Sequence, residues 1–131
     1  MLGGGRTLRI FLTRVFARFA KSEDIADSAL REAVRRADAG LIDADLGGGV
    51  IKQRVARRGQ GKSGGYRTII LFRRETRAIF VYGFAKNDQD NISPQDLRLF
   101  RELAREMLAY DEAGLAGAVE IHRLKEIASD D

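Results

Sequence analysis

A chain of 131 residues can close one hydrophobic core but not two, and 44% hydrophobic against 32% charged residues describes a globular chain rather than a disordered one. With no cysteine, a disulfide framework and a thiolate metal site are excluded, and the single histidine, His122, excludes any centre that needs two imidazoles. The net charge of +4 is unevenly spread: residues 52–77 hold nine cations (Lys52, Arg54, Arg57, Arg58, Lys62, Arg67, Arg73, Arg74, Arg77) and one acid, Glu75, so this window carries +8 and the remainder −4.

Such a concentration favours a polyanionic partner, although a solvated basic face has the same composition. Residues 1–7, with three glycines, read as a flexible leader. They lack the apolar segment of a signal peptide, and no run approaches the roughly 20 apolar residues of a membrane span. A cytoplasmic protein with no membrane partner is therefore expected.

Residues 8–21 read as a short strand followed by a short helix carrying Val15, Phe16 and Phe19. A second helix is expected over 22–40, with Ser22 as N-cap, Glu23 and Asp24 in the first turn, and Gly40 closing it. Ile25, Ala29, Leu30, Ala33, Val34 and Ala37 form its apolar stripe, which reads as core. Residues 41–49 read as a loop ending in Gly47-Gly48-Gly49. Strands follow at 50–55, 65–73 and 77–86; the last two are rich in β-branched and aromatic residues and should pair as an antiparallel hairpin around Arg74-Glu75-Thr76. Ser93, Pro94 and Asp96 open a final helix, whose buried face is Leu97, Phe100, Leu103, Ala104, Met107 and Leu108, and on which Arg101 is expected to matter little. After Tyr110 the chain turns acidic, and residues 119–124 alternate like an edge strand. The order predicts one α+β domain over 1–131, with the N-terminal helices and the C-terminal helix packed on one face of a small antiparallel sheet. The other face would be free to display strand arginines and lysines.

Residues 57–67 invite two misreadings. Gly59, Gly61 and Gly64 satisfy the dinucleotide-binding glycine pattern, but a strand follows where the pattern needs a helix. Gly61-Lys62-Ser63 resembles the end of a P-loop, yet the first glycine of that motif falls on Ala56. What remains is a glycine loop bearing Lys62 and leading into Arg67. Glycines let backbone N–H groups approach a phosphate, and the cations add charge-assisted hydrogen bonds. The loop alone is equally an ordinary hairpin loop with a solvated lysine. Asp88, Asp90 and Asp96 lack the glycine and terminal glutamate of a calcium loop.

The blocks Asp45-Leu46-Gly47-Gly48-Gly49, Lys52-Gln53-Arg54-Val55-Ala56-Arg57, Gly59-Gln60-Gly61-Lys62-Ser63-Gly64-Gly65-Tyr66-Arg67 and Phe80-Val81-Tyr82-Gly83-Phe84-Ala85-Lys86-Asn87 together resemble the RelE-type toxins, specifically their HigB-like branch. The resemblance continues at Asn91-Ile92 and covers about three quarters of the chain. It implies a RelE-like fold, ribosome-dependent cleavage of messenger RNA without metal or cofactor, and neutralisation by a co-produced antitoxin, often one with a helix-turn-helix DNA-binding domain. By motif, Arg67 matches the arginine after Gly-Tyr in the active-site strand, Lys52 and Arg54 lie on the neighbouring basic strand, and Lys86-Asn87 end the third. Many relatives carry arginine, tyrosine or histidine just beyond that strand. Here the run is Asn87-Asp88-Gln89-Asp90-Asn91, so the general base is not identified.

Cleavage by the RNA's own 2′-hydroxyl asks the protein to position the strand, neutralise the phosphorane and move protons. The expected roles are phosphate stabilisation for Arg67, acid–base or charge work for Lys62 and Lys86, and RNA binding for Lys52, Arg54, Arg57, Arg58 and Asn87. A lysine among arginines should have a lowered pKa. Tyr82 reads as half-buried packing and His122 as an edge-strand surface residue. The acidic segment 111–131 is expected to be an extension dispensable for cleavage, serving as edge structure or antitoxin contact. Two rivals stand beside this reading: a ParE-like toxin of DNA gyrase, which would not need Lys62, Arg67 and Lys86 on one face, and a non-catalytic RNA- or ribosome-binding module.

Overall fold

The computed structural model describes residues 8–57, 61–85 and 92–129. Strand β1 (Arg9–Thr13) runs directly into helix α1 (Arg14–Ser22), and the Thr13 hydroxyl caps the helix by accepting from the Phe16 N–H at 3.2 Å. Ser22 does not cap a long second helix. It closes α1, its hydroxyl donating to the Phe19 carbonyl, and the chain turns at Asp24, whose φ of 56° is left-handed. Helix α2 (Asp27–Asp38) then buries Leu30, Ala33, Val34 and Ala37, and Gly40 with φ 92° follows its end as expected.

Residues 41–49 are not only loop. Strand β2 (Ala44–Gly47) doubles back onto β3 (Val50–Arg57), and Gly47, Gly48 and Gly49 all take positive φ, a backbone that other residues resist. Arg101 straps this turn: its guanidinium donates to the Leu46 carbonyl, and its stem lies over Gly48. It is therefore a structural residue, contrary to the expectation that it matters little.

Strands β4 (Gly61–Arg73) and β5 (Arg77–Ala85) form the expected antiparallel hairpin. Helix α3 (Pro94–Met107) starts where Ser93 accepts from the Asp96 N–H at 3.0 Å, again as expected. Beyond Tyr110 the structure departs from the sequence reading. Helix α4 (Glu112–Glu120) takes up the first two residues of the edge strand expected over 119–124, a turn follows, and the strand itself, β6 (Leu124–Ile127), comes later.

The sheet order is β2-β3-β4-β5-β1-β6, with β1 parallel to β5 and the other pairings antiparallel. It is thus a six-stranded mixed sheet, not a small antiparallel one. Nor are the helices on one face. Ile10, Leu12, Ile70 and Phe80 pack with Phe16 of α1 and Leu30 and Val34 of α2, whereas Phe11, Ile69, Leu71 and Ile79 pack with Ala104 and Met107 of α3 and Leu115 of α4. The strands explain this. Consecutive apolar residues at 69–72 and 78–81 point to both faces, so both must be covered.

The acidic segment belongs to the core. Leu115, Ala118, Leu124 and Ile127 are buried, β6 pairs with β1, and Arg9 binds Glu126 at 2.8 Å and Glu112 at 2.7 Å. A chain ended at Tyr110 should accordingly show no cooperative melting transition by circular dichroism. Leu124→Ala should cost about 2–5 kcal/mol in chemical denaturation; a truncated chain that melts like the full one would contradict this.

Candidate functional site

The Gly65-Tyr66-Arg67 triplet shows how the fold aims a cation. Strands β3 and β4 slip register between Val55 and Arg57, and a Cβ on Gly65 would lie 2.1 Å from the Val55 carbonyl oxygen, so no side chain fits there. Tyr66 is buried on the α1/α2 face. Its hydroxyl donates to Glu23 at 2.9 Å, the Phe19 ring meets it edge-on at 5.6 Å, and the Arg57 guanidinium lies 5.6 Å from its ring centre. Burial, then the Glu23 carboxylate, hold the Tyr66 phenol above its ordinary pKa. Strand alternation then turns Arg67 to the opposite face.

On that face Arg67 is half-buried, and its Nη1 is buried with no hydrogen-bond partner among the described residues. Such a group is costly in a folded protein and calls for an explanation, such as a bound water, an ion or a catalytic role; the Arg36 Nε shares this state. Arg54 stands directly across on β3 and Phe84 directly across on β5, while Lys52 lies two residues from Arg54 on the same face. Tyr82 continues the surface as half-buried packing, with ring centres 5.9 Å from Phe84 and 6.0 Å from Phe100.

The structure thus brings together Lys52, Arg54 and Arg67, and it separates Arg57, which lies against Tyr66 on the other face. Lys62 falls in β4 but its side chain is outside the described residues, as are Arg58, Lys86, Asn87, Asp88 and Asp90. His122 is no edge-strand residue: it turns the chain between α4 and β6 with φ 62°, and its carbonyl accepts from Arg14 at 3.3 Å. Among the described residues no group of three His, Cys, Asp or Glu side chains is placed to hold a metal. A surface hollow of about 670 Å³ opens on the α1/α2 face, lined by Glu23, Asp24, Arg57 and Tyr66 among others; Arg67 does not line it.

One residue at the site escaped the sequence reading. The N–H of Asp43 donates to the buried Gln53 side chain at 2.9 Å, and Gln53 in turn donates to the Ala33 and Leu41 carbonyls. The Asp43 carboxylate so placed accepts from the Arg54 N–H at 2.7 Å and from the Arg54 guanidinium at 3.1 Å, with Arg36 at 3.7 Å. Only the strand register brings positions 43 and 54 together, so no local motif announces the pair.

Two outcomes follow from this geometry. Gly65→Ala should destabilise by at least about 1–3 kcal/mol, because backbone must move, whereas Gly117→Ala in α4, where a Cβ meets nothing within 4 Å, should stabilise slightly; paired thermal melts compare them. Burial pushes the Asp43 carboxyl up, but the Arg54 N–H, the Arg54 guanidinium and Arg36 outweigh it, leaving the group below its ordinary value of 3.8. A carboxyl depressed on folding stabilises above its unfolded pKa and loses that contribution as pH falls through the folded one. Asp43→Asn should therefore lower Tm at neutral pH and do so progressively less below about pH 4. An equal loss at both pH values would show that the charge is not what matters.

A family model described as the RelE toxin of the RelE/RelB toxin–antitoxin system matches residues 8–127, from β1 through β6. No curated protein matches the chain. Among the described residues no helix is long and apolar enough to cross a membrane. The match spans all ten elements of the fold, including the acidic segment and the strand that carries Arg67, and the chain belongs to the RelE toxin family.

Proposed function

We propose that the protein is a ribosome-dependent messenger-RNA endonuclease that arrests translation and is neutralised by a cognate antitoxin with a helix-turn-helix domain. The observation that carries this reading is the half-buried Arg67, whose Nη1 has no hydrogen-bond partner among the described residues, on a face of the sheet shared with Lys52 and Arg54. The glycines expected as a loop before it, Gly61, Gly64 and Gly65, belong to β4. A RelE toxin is held in check by its antitoxin, and a guanidinium nitrogen without a partner among the described residues suits the phosphate of an RNA target.

In the proposed reaction the RNA 2′-oxygen attacks its own phosphate. The O2′–P bond forms as the P–O5′ bond breaks, one proton leaves the 2′-hydroxyl, and one reaches the departing 5′-oxygen. No metal is needed. Arg67 stabilises the negative phosphorane. Lys62 and Lys86 are the proposed proton carriers, and Lys52, Arg58 and Asn87 hold the strand. Arg57, seated on Tyr66, acts from the opposite face by supporting the strand that bears Arg67.

Arg67→Ala should slow single-turnover cleavage on programmed ribosomes by a few hundredfold, about 3–4 kcal/mol, by analogy with loss of one oxyanion donor. Ribosome binding should weaken far less, since phosphate affinity is spread over many cations. Arg67→Lys should recover only part of the rate, because it keeps the charge but loses the planar fork. Arg105→Ala, exposed on α3, is the control, since Arg101 straps the β2–β3 turn. Cleavage by Arg67→Ala at the wild-type rate would misplace the site. If induced protein halted thymidine incorporation while amino-acid incorporation continued, the gyrase reading would replace this one.

A further inference from the structure

Arg54 and Arg67 are direct cross-strand partners, so their side chains leave the same face within about 5 Å at Cβ. Two guanidinium groups so placed repel each other, and both would reach for one phosphate. The structure treats them differently. Arg54 is held twice by one carboxylate, through its N–H and its guanidinium, and that carboxylate lies on the side of β3 away from β4, because Asp43 leads into β2. Arg67 Nη1 has no hydrogen-bond partner among the described residues. The Asp43 side is itself fixed by the fully buried Gln53. Arg36 completes the corner, donating to the Arg54 carbonyl and standing 3.7 Å from Asp43.

We propose that Asp43 is a positioning residue for the anion site: by holding Arg54 it keeps that guanidinium off the bound phosphate and reserves Arg67 for it. The inference rests on the RNA reading of this face and revises the role that sequence assigns to Arg54. A second guanidinium on the phosphate would tighten ground-state binding without adding transition-state stabilisation, and such uniform binding lowers KM and leaves kcat no higher. Asp43 also removes a like-charge conflict from the sheet.

The test counts cations on the phosphates. Binding of a 2′-O-methyl RNA oligonucleotide, which cannot be cleaved, is measured by fluorescence anisotropy across a salt series. Asp43→Asn keeps an acceptor for the Arg54 N–H but frees the guanidinium, so the slope of log affinity against log salt should steepen by about 0.7, one cation on a single strand. Asp43→Asn with Arg54→Ala should return to the wild-type slope. On programmed ribosomes Asp43→Asn should lower KM without raising kcat. If Asp43→Asn does not melt cooperatively, Asp43→Ser, uncharged and still an acceptor, replaces it. A wild-type slope in the single variant, or a double variant shallower than wild type, would mean that Arg54 already touches phosphate, and it overturns the proposal. Absence of oligonucleotide binding by the wild type removes it together with the RNA reading. A wild type that binds with the expected order of slopes but leaves ribosomal messages intact ends only the nuclease reading.

Discussion

Tyr66 is buried between α1, α2 and the sheet, and much of the site depends on that burial. A strand has a period of two, so once Tyr66 points inward its successor points to the other face. Glu23 fixes the phenol hydroxyl, Phe19 presses the ring, and Gly83 makes room for Phe19, since a Cβ there would lie 2.5 Å from that ring. Gly65 lets β3 and β4 approach closely just before Tyr66. Arg67 is therefore aimed by contacts on the side of the sheet it does not occupy. A one-residue slip of β4 would bury the guanidinium and expose the tyrosine, and both burial and hydrogen bonding oppose it.

The charged face is stable because its cations are not equivalent. Arg54 is paired and Arg67 Nη1 is orphaned, an arrangement that depends on a buried glutamine holding Asp43 in place. An orphaned buried donor costs about 1–3 kcal/mol. That cost is offset by a core that covers the sheet on both faces. Departures of this kind from local rules are expected at functional positions, which fits the role proposed for Arg67.

What the sequence disclosed and what it hid follow from the range of the interactions involved. Local chemistry was legible: the β4–β5 hairpin, the Ser93-Pro94 start of α3, Gly40 beyond α2, and the Gly-Tyr-Arg block that carries the family resemblance all depend on near neighbours. The break between α1 and α2 was legible but misplaced at Ser22, whereas the chain turns at Asp24 and α2 starts after Ala26, because Asp24 adopts a left-handed backbone that its residue type does not demand. The strand β6 was displaced in the reading because its alternation is short and its partner, β1, lies more than a hundred residues away. Coverage of both faces had a readable signal, the unbroken apolar runs at 69–72 and 78–81, which a one-face reading passed over. Asp43 had none, since its role exists only through register.

The same topology explains how a chain of only +4 can present a strongly cationic face. Glu112 and Glu126 are tied to Arg9 at the β1/β6 edge, and Glu106 is tied to Arg123 beside α4. In the order β2-β3-β4-β5-β1-β6, β6 lies three strand spacings from β4 and four from β3. At about 4.8 Å per spacing Glu126 on β6 is some 14–19 Å from the cation-bearing strands, beyond the roughly 8–10 Å over which salt leaves exposed charges interacting. Inserting β1 between the hairpin and β6 therefore does two things at once. It completes the core, and it sets Glu126 of β6 apart from Lys52, Arg54 and Arg67. Asp43 is an acid close to that face, and its geometry binds it to Arg54.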